Sequence, residues 1–322
     1  MAQNRPCVIT GEASGWARAA RWRDDAYLRA AMAGAPPVAV NVTPGGRGDA
    51  VHARPEHGGE VFVLPQESRM PFAAFLDALD ASSDAADADT DADVPYVSAQ
   101  NGSLHADFAP LVADVPASLP WAEEAFASPP DAVNLWIGNS RAVTTFHCDH
   151  YENMYAVLAG EKRFTLLPPC DAHRLHAARR RVGRFCKPDA STAWAVQLEE
   201  PPRSVSWARV EPHPAPGAAT KAAREAFPRY FRAAASPLAI EVTLREGEIL
   251  YLPALWHHHV RQAGRRVIAV NWWHDMAFDH RYAHLQLVRG VARALAAATG
   301  EEGDGEGEEE AQEAQQAEHA GR

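Results

Sequence analysis

Cysteine is scarce in this sequence, and the cysteines present are not arranged as metal ligands. Among 322 residues there are four, none of them in a CxxC arrangement: Cys7, Cys148, Cys170 and Cys186. This excludes a disulfide-stapled scaffold and a zinc ribbon, and it is typical of proteins from reducing compartments. We therefore expect a cytoplasmic protein, with the nucleus as a second location.

Long hydrophobic runs are missing as well, although 47% of the residues are hydrophobic. A membrane-spanning helix needs an apolar run of about 18 residues or more, and none occurs. The segment Met1–Pro6 has no apolar stretch of the kind found in secretory signals. We expect neither a membrane segment nor a secretory signal, and the apolar content is sufficient for a sizeable core.

A broadly basic surface is also absent, since the net charge is −11. Most of the acidity lies in two segments: residues 80–93 hold six aspartates, and residues 301–322 hold nine acidic residues and one arginine. The rest of the chain is therefore close to neutral, and we do not expect nucleic-acid binding. We interpret 81–93 as a solvated Asp-rich loop and 300–322 as a disordered acidic tail.

The remaining sequence divides into an N-terminal part with mixed patterns and a β-rich part. Residues 1–130 combine helical and strand-like spacing and predict an α/β region. In residues 131–275, short apolar runs recur between turn residues, which is typical of a sandwich or barrel. The eight runs are Val133–Ile137, Val143–Phe146, Met154–Leu158, Arg163–Leu167, Ile240–Leu244, Ile249–Leu252, His257–Val260 and Val267–Trp272.

Two further segments differ from this pattern. Residues 170–239 are too many for a hairpin loop and predict an insertion with structure of its own. Its part from Pro201 to Gly217 holds five prolines and predicts an irregular loop. Residues 276–299 carry apolar side chains at helical spacing and predict a C-terminal amphipathic helix. An exposed apolar stripe on that helix would need a partner, so we expect a homodimer.

Two groups of residues stand out among the fifteen histidines. His147 and Asp149 are two residues apart at the end of a predicted strand, so both side chains point to the same side. A third imidazole from the run His257–His259 would complete three ligands on one face of an octahedron, as in non-haem Fe(II) oxygenases. The spacing leaves all three histidines of the run open as ligands, and a surface histidine beside a solvated aspartate is the alternative interpretation of the first pair.

Longer stretches around both groups resemble the Jumonji-C oxygenases. The similarity lies in residues 131–169, including Gly160–Phe164, and in residues 247–273, ending in Val270–Trp273. The resemblance implies a double-stranded β-helix, an antiparallel eight-stranded barrel of the cupin type, in a mainly β protein with flanking helices. The region 1–130 would brace this barrel, and the insertion 170–239 would overhang its mouth.

The resemblance also implies a role for each candidate residue. His147, Asp149 and His258 would bind Fe(II); His258 is favoured because the family places this ligand two residues before an aliphatic residue, here Val260. The distal carboxylate of 2-oxoglutarate would meet Lys162. Hydroxyl donors and amides that would line the same pocket are Tyr96, Thr144, Asn153 and Asn271.

The activity implied by the resemblance is hydroxylation of a protein side chain with Fe(II), 2-oxoglutarate and O₂. More specifically, the resemblance implies C3-hydroxylation of a lysyl residue. The substrate would be a GTPase of the translation-factor class, one of the developmentally regulated GTP-binding proteins. Three alternatives stay open. They are an oxygenase acting on an asparaginyl residue, histone methyl-lysine or a tRNA base, a Jumonji-C peptidase, and a non-catalytic cupin-like binding module.

Overall fold

The computed structural model describes residues 4–84, 92–188, 193–233 and 240–299. Its strands are β1 (Cys7–Ile9), β2 (Val38–Pro44), β3 (Arg47–Gly48), β4 (Ala50–Arg54), β5 (Gly59–Leu64), β6 (Gln66–Met70), β7 (Asp93–Tyr96), β8 (Ala132–Gly138), β9 (Val143–His147), β10 (Tyr151–Leu167), β11 (Ala178–Cys186), β12 (Ala195–Leu198), β13 (Ser204–Trp207), β14 (Ile240–Arg245), β15 (Ile249–Leu252) and β16 (His257–Asp275). Its helices are α1 (Asp25–Ala31), α2 (Phe72–Asp84), α3 (Ser103–Ala106), α4 (Pro120–Phe126), α5 (Ala218–Ala226), α6 (Pro228–Ala233) and α7 (His280–Thr299), and short 3₁₀ turns lie at Ala13–Gly15, Ala19–Arg23, Pro55–His57, Ala109–Asp114 and Pro169–Leu175.

The barrel is built on two long antiparallel strands, β10 and β16. Each of these two strands runs from one half of the barrel into the other. The start of β10 and the end of β16 pair with β15 and β8, whereas the end of β10 and the start of β16 pair with β14 and β9. Two short N-terminal strands complete the sheet at its edges, β1 against β15 and β3 against β9. The predicted mainly β fold with a double-stranded β-helix and flanking helices is confirmed.

The eight predicted runs are correct in position, but the prediction of eight separate strands is wrong. Met154–Leu158 and Arg163–Leu167 lie in the single strand β10, and the last two runs lie in β16. The turn signal at Gly160 marks a bend in β10, where the pairing register with β16 shifts. Gly160 has φ +73°, and a Cβ there would lie 2.8 Å from the carbonyl oxygen of Arg266, so the bend requires glycine.

The N-terminal region covers the outer face of one half of the barrel. Its helices and 3₁₀ turns contribute buried side chains such as Trp22, Phe75 and Leu76, which pack in one cluster with Trp272 of β16. A three-stranded sheet of β6, β2 and β7 adjoins them. The region therefore braces the barrel, and it also supplies two of its edge strands.

The insertion does not fold apart from the N-terminal region. Its strands β11, β12 and β13 form one five-stranded sheet with β4 and β5. The predicted irregular loop from Pro201 to Gly217 is wrong over Ser204–Trp207, because Val205 and Trp207 are buried in alternation with two serines and pair with β11. Edge pairing of this kind needs only a few residues between prolines.

The acidic segments are only partly described. The loop predicted for 81–93 is wrong at both ends, because α2 continues to Asp84 and β7 begins at Asp93. Residues 85–91 and the predicted disordered tail 300–322 lie outside the described residues. The C-terminal helix α7 falls within the predicted range 276–299. In the part of the chain that the structure describes, no helix combines the length and apolarity needed to cross a membrane.

Candidate metal centre

The structure brings together His147, Asp149 and His258, the residues that the sequence singled out. His147 ends β9, Asp149 follows in the turn, and His258 lies opposite His147 in the pairing of β9 with β16. One ligand atom from each residue lies within 4.8 Å of the others. Nε2 of His147 is 3.9 Å from Asp149 Oδ1, and Nε2 of His258 is 3.6 Å from Asp149 Oδ2. Two imidazoles and one carboxylate thus converge inside the barrel mouth.

Backbone carbonyls orient both imidazoles. Nδ1 of His147 lies 2.8 Å from the carbonyl oxygen of Thr145, and Nδ1 of His258 lies 3.0 Å from that of Trp256. A carbonyl can only accept, so each Nδ1 carries the proton and each Nε2 offers a lone pair toward Asp149. Burial, followed by the neighbouring His147, lowers the pKa of His258 to about 4, so His258 is neutral and able to bind a metal.

A buried ammonium lies deeper in the same barrel. Lys162 is only 1% exposed, and its Nζ donates a hydrogen bond of 2.9 Å to the hydroxyl of Tyr96, which is also hydrogen-bonded to Thr144. Nζ lies 5.3 to 5.7 Å from the ring centroids of Tyr96, Trp136 and Tyr155. Burial lowers the pKa of Lys162 to about 7. Such an ammonium needs an anion to compensate its lost hydration, and a dicarboxylate supplies one.

The sequence is similar to characterised proteins over most of its length. A family model described as "Cupin-like domain" matches residues 1–280. The chain is 37% identical over 291 residues to the human "Bifunctional peptidase and (3S)-lysyl hydroxylase JMJD7", covering 90% of this chain and 84% of the relative. It is 36% identical over 296 residues to "Lysine-specific demethylase JMJ32" of Arabidopsis thaliana, covering 90% and 81%. The chain belongs to the cupin-like JmjC family.

A third relative, "JmjC domain-containing protein E" of Dictyostelium discoideum, is 32% identical over 305 residues and covers 90% of this chain and 83% of its own length. The JmjC proteins are Fe(II)- and 2-oxoglutarate-dependent oxygenases. The His-Asp-His group and the buried lysine are the donor set and the cation that such chemistry requires. Membership of the JmjC oxygenases confirms the family resemblance found in the sequence.

The two predicted amides of this JmjC chain lie side by side on the barrel floor. Asn271 is fully buried; its Nδ2 donates to Oδ1 of Asn153 at 3.1 Å, and its Oδ1 accepts from Trp136 Nε1 at 2.7 Å. Trp136 also borders Lys162, so these amides adjoin the lysine pocket. The structure therefore groups five of the predicted site residues around one pocket, namely Lys162, Tyr96, Thr144, Asn153 and Asn271, and groups the three candidate metal ligands separately.

The neighbours of His258 in the histidine run face away from the metal ligands. His257 is buried near Arg289 of α7, and burial lowers its pKa well below its ordinary value. His259 is completely buried with its Nε2 3.6 Å from Glu211 Oε1, on the side of the insertion. Cys148 also points away and packs in a cluster that includes Leu255 and Met276. His258 is the member of the run that meets His147 and Asp149.

One residue beside the ligands was missed by the sequence interpretation. The indole of Trp207 in β13 is parallel to the ring of His147, with an interplanar angle of 4° and a centroid distance of 6.2 Å. Its Nε1 donates to Thr145 Oγ1 at 2.9 Å, and Thr145 in turn donates to the carbonyl of Asp49 at 2.6 Å. The insertion thus supports the backbone that orients His147. The alternation Ser204-Val205-Ser206-Trp207 could have indicated a strand here, but not its contact with His147.

Proposed function

We propose that this chain is an Fe(II)- and 2-oxoglutarate-dependent protein hydroxylase that acts at C3 of a lysyl residue. The observation that carries the proposal is the pairing of an open His147-Asp149-His258 group with the buried Lys162 in one barrel. Three protein ligands leave positions free for a bidentate co-substrate and for O₂. The relative named as a (3S)-lysyl hydroxylase, at 37% identity, supports the lysyl specificity.

The chemistry of the residues fits the implied groups. The neutral Nε2 atoms of His147 and His258 and the carboxylate of Asp149 would hold Fe(II). The ammonium of Lys162 and the hydroxyls of Tyr96 and Thr144 would hold the distal carboxylate of 2-oxoglutarate. Fe(II) and 2-oxoglutarate, when bound, supply the oxidising power that inserts one oxygen atom of O₂ into a C–H bond. The protein residues position both groups and exclude competing water.

We propose a protein partner of the GTPase class, the developmentally regulated GTP-binding proteins, and a location in the cytoplasm with the nucleus as a second compartment. The near-neutral folded part of the chain supports a protein substrate over a nucleic acid. The exposed apolar stripe of α7 supports a homodimer.

The function is tested by following succinate formed from 2-oxoglutarate with Fe(II), and by mass spectrometry of candidate GTPases after incubation. We expect succinate with the wild-type protein, a product heavier by one oxygen atom, and loss of both in His147→Ala. Cys148→Ala is the matched control, because this neighbouring side chain points away from the ligands. Absence of 2-oxoglutarate turnover in the wild type would contradict the proposal and favour a non-catalytic binding module.

Demethylation and peptide cleavage are the competing outcomes at the same site, because relatives at 36% and 37% identity carry these activities in their names. The three reactions differ in product mass. Hydroxylation adds one oxygen atom, demethylation removes a methylene unit, and cleavage adds a water across a broken chain. The mass experiment above therefore decides between them.

A further inference from the structure

The barrel mouth beside the metal ligands carries four residues that the proposed chemistry does not use. We call Tyr151, Trp273, Asp131 and Asp275 the acidic rim. Tyr151 and Asp275 are directly opposite each other in the pairing of β10 with β16, and Trp273 lies two residues before Asp275. Residues two apart on a strand share a face, so this row continues the interior row of Asn271. The rim is therefore the outward continuation of the site.

The rim concentrates negative charge without compensation. Asp131 and Asp275 are both exposed. Within the described residues, neither carboxylate has a lysine, arginine or histidine in ion-pair contact. The backbone of Asp131 is fixed beside the rim, because its N–H donates to the carbonyl of Trp273 at 2.7 Å.

A buried donor without an acceptor lies in the same rim. Trp273 is 4% exposed and stacks on Tyr151 with ring centroids 4.6 Å apart and an interplanar angle of 3°. Among the described residues, no acceptor meets its Nε1–H. An unpaired buried N–H costs about 1–3 kcal/mol, so a ligand that brought an acceptor to this group would be stabilised. Peptide carbonyl oxygens are acceptors of this kind.

We propose that the acidic rim binds a peptide residue with a cationic side chain, lysine or arginine. The carboxylates of Asp131 and Asp275 hold the cation, and the indole N–H of Trp273 donates to a carbonyl of the peptide. This inference rests on the proposed function, and it deepens that function by assigning the residues that select the substrate.

The position of the rim also favours one reaction outcome. Tyr151 is the first residue of β10, two residues after Asp149 in the chain, and its partner Asp275 is the last residue of β16. The ammonium of lysine lies about 5 Å beyond Cβ when the side chain is extended. A cation held at the rim therefore leaves a carbon of the side-chain stem near the metal ligands. Demethylation would instead require the cation itself to lie beside them, so the rim favours hydroxylation.

The test uses the full chain with Fe(II), 2-oxoglutarate and three synthetic peptide libraries that are identical except for the central residue. That residue is lysine, arginine or norleucine, which keeps the four-carbon stem of lysine and lacks the ammonium. We expect Asp131→Asn/Asp275→Asn to raise KM for the preferred cationic library about tenfold, as two exposed charge pairs would, and to leave the norleucine library unchanged. Asp77→Asn, an exposed carboxylate on α2, is the matched control and should change neither.

The readouts separate this inference from the proposed function. Succinate formation without peptide reports the metal and 2-oxoglutarate sites, and it should be unchanged in the rim variant. If the wild type lacks that turnover, the proposed function is wrong and the inference with it. If the turnover is present, equal KM changes for the charged and norleucine libraries would overturn the inference alone. Absence of hydroxylation of the lysine library would contradict the lysyl specificity of the proposed function, and the inference with it.

Discussion

Lys162 is a charged residue that is buried in an apolar environment. Its ammonium is surrounded by three aromatic rings and a phenol hydroxyl, and burial lowers its pKa from 10.5 to about 7. A group whose pKa is lower in the folded state than in the unfolded state binds fewer protons when folded. Between about pH 7 and 10.5, the free energy of unfolding therefore rises with pH, and at neutral pH the folded protein bears the penalty of the buried charge.

Replacement of this lysine tests the penalty directly. We expect Lys162→Met to raise the free energy of unfolding of the ligand-free protein at pH 7 by on the order of 2 kcal/mol, because a buried charge is exchanged for an apolar chain of similar length. The gain should shrink as pH approaches 10.5, since the unfolded lysine then loses its proton. Urea denaturation at several pH values measures it. If Lys162→Met were less stable than the wild type, the buried charge of Lys162 would not destabilise the folded protein.

Binding of 2-oxoglutarate should restore the proton to Lys162. Above about pH 7 we expect affinity for 2-oxoglutarate to fall by about tenfold per pH unit, because the dianion binds the charged form and a proton must be taken up. Anaerobic calorimetry with Fe(II) in buffers of different ionisation enthalpy measures this uptake. Lys162→Arg is the control and should bind without proton uptake, because a guanidinium stays charged. If the wild type took up almost no protons on binding 2-oxoglutarate, Lys162 would not be the residue that meets its carboxylate.

Trp207 lies parallel to the ring of His147, one of the candidate metal ligands. We expect Trp207→Phe to weaken metal binding by about tenfold, because the backbone that orients His147 loses the indole donor to Thr145. Titration with Co(II), followed by its visible absorption, measures the affinity without any turnover. Trp194→Phe is the control, because that indole donates to Asp93 elsewhere in the insertion. If both variants bound Co(II) with equal affinity, Trp207 would be a packing residue without effect on the metal site.

At the scale of elements, a buried ion pair joins the helix α7 to the barrel. Arg281 donates to the buried Glu152 at 2.7 Å, and Glu152 also accepts from the hydroxyl of Tyr251. We expect Arg281→Met to lower the free energy of unfolding by about 3 kcal/mol, because Glu152 is left buried without its cation. Denaturant unfolding measures the change. Arg265→Met, which removes an exposed pair with Asp84, should lower the free energy of unfolding far less.

The sequence predicted where strands lie better than where they end. Apolar runs reveal burial, so the runs in β10 were found, but burial says nothing about whether Gly160 breaks a strand or bends it. Only the register shift against β16 distinguishes the two. For β13, the flanking prolines indicated a loop more strongly than the short alternation of buried and exposed residues indicated a strand. Edge pairing with β11 depends on residues far away in the chain.

At the scale of the whole molecule, the site could be predicted in part. The spacing of His147 and Asp149 was sufficient to predict that they converge, although Asp149 lies just beyond the end of β9 and not on the strand itself. The choice of His258 within its run needed the family pattern, because three adjacent imidazoles offer two faces. Trp207 could not be assigned to the site, because its contact with His147 depends on how the insertion docks onto the barrel.

The proposed homodimer is a further prediction at this scale. Leu287, Val291 and Leu295 lie four residues apart on α7 and are 65%, 51% and 56% exposed. We expect light scattering to give twice the mass of the chain, and Leu287→Glu/Leu295→Glu to give a monomer, because charges would then face the interface. Ala297→Glu, off this stripe, should remain dimeric. A wild-type mass of 35.0 kDa at all concentrations would refute the dimer.

Because three histidines are adjacent at the start of β16, a shift in strand register would still place an imidazole at the metal position. The other positions of the strand do not tolerate such a shift. If β16 slipped by one residue against its neighbours, another imidazole would occupy the place of His258. The same slip would turn Asn271 and Trp273 out of the barrel and bring Val270 and Trp272 in. A misregistered molecule would keep three candidate metal ligands and lose the interior surface around them, so full metal content would be a poor measure of correct folding for this protein.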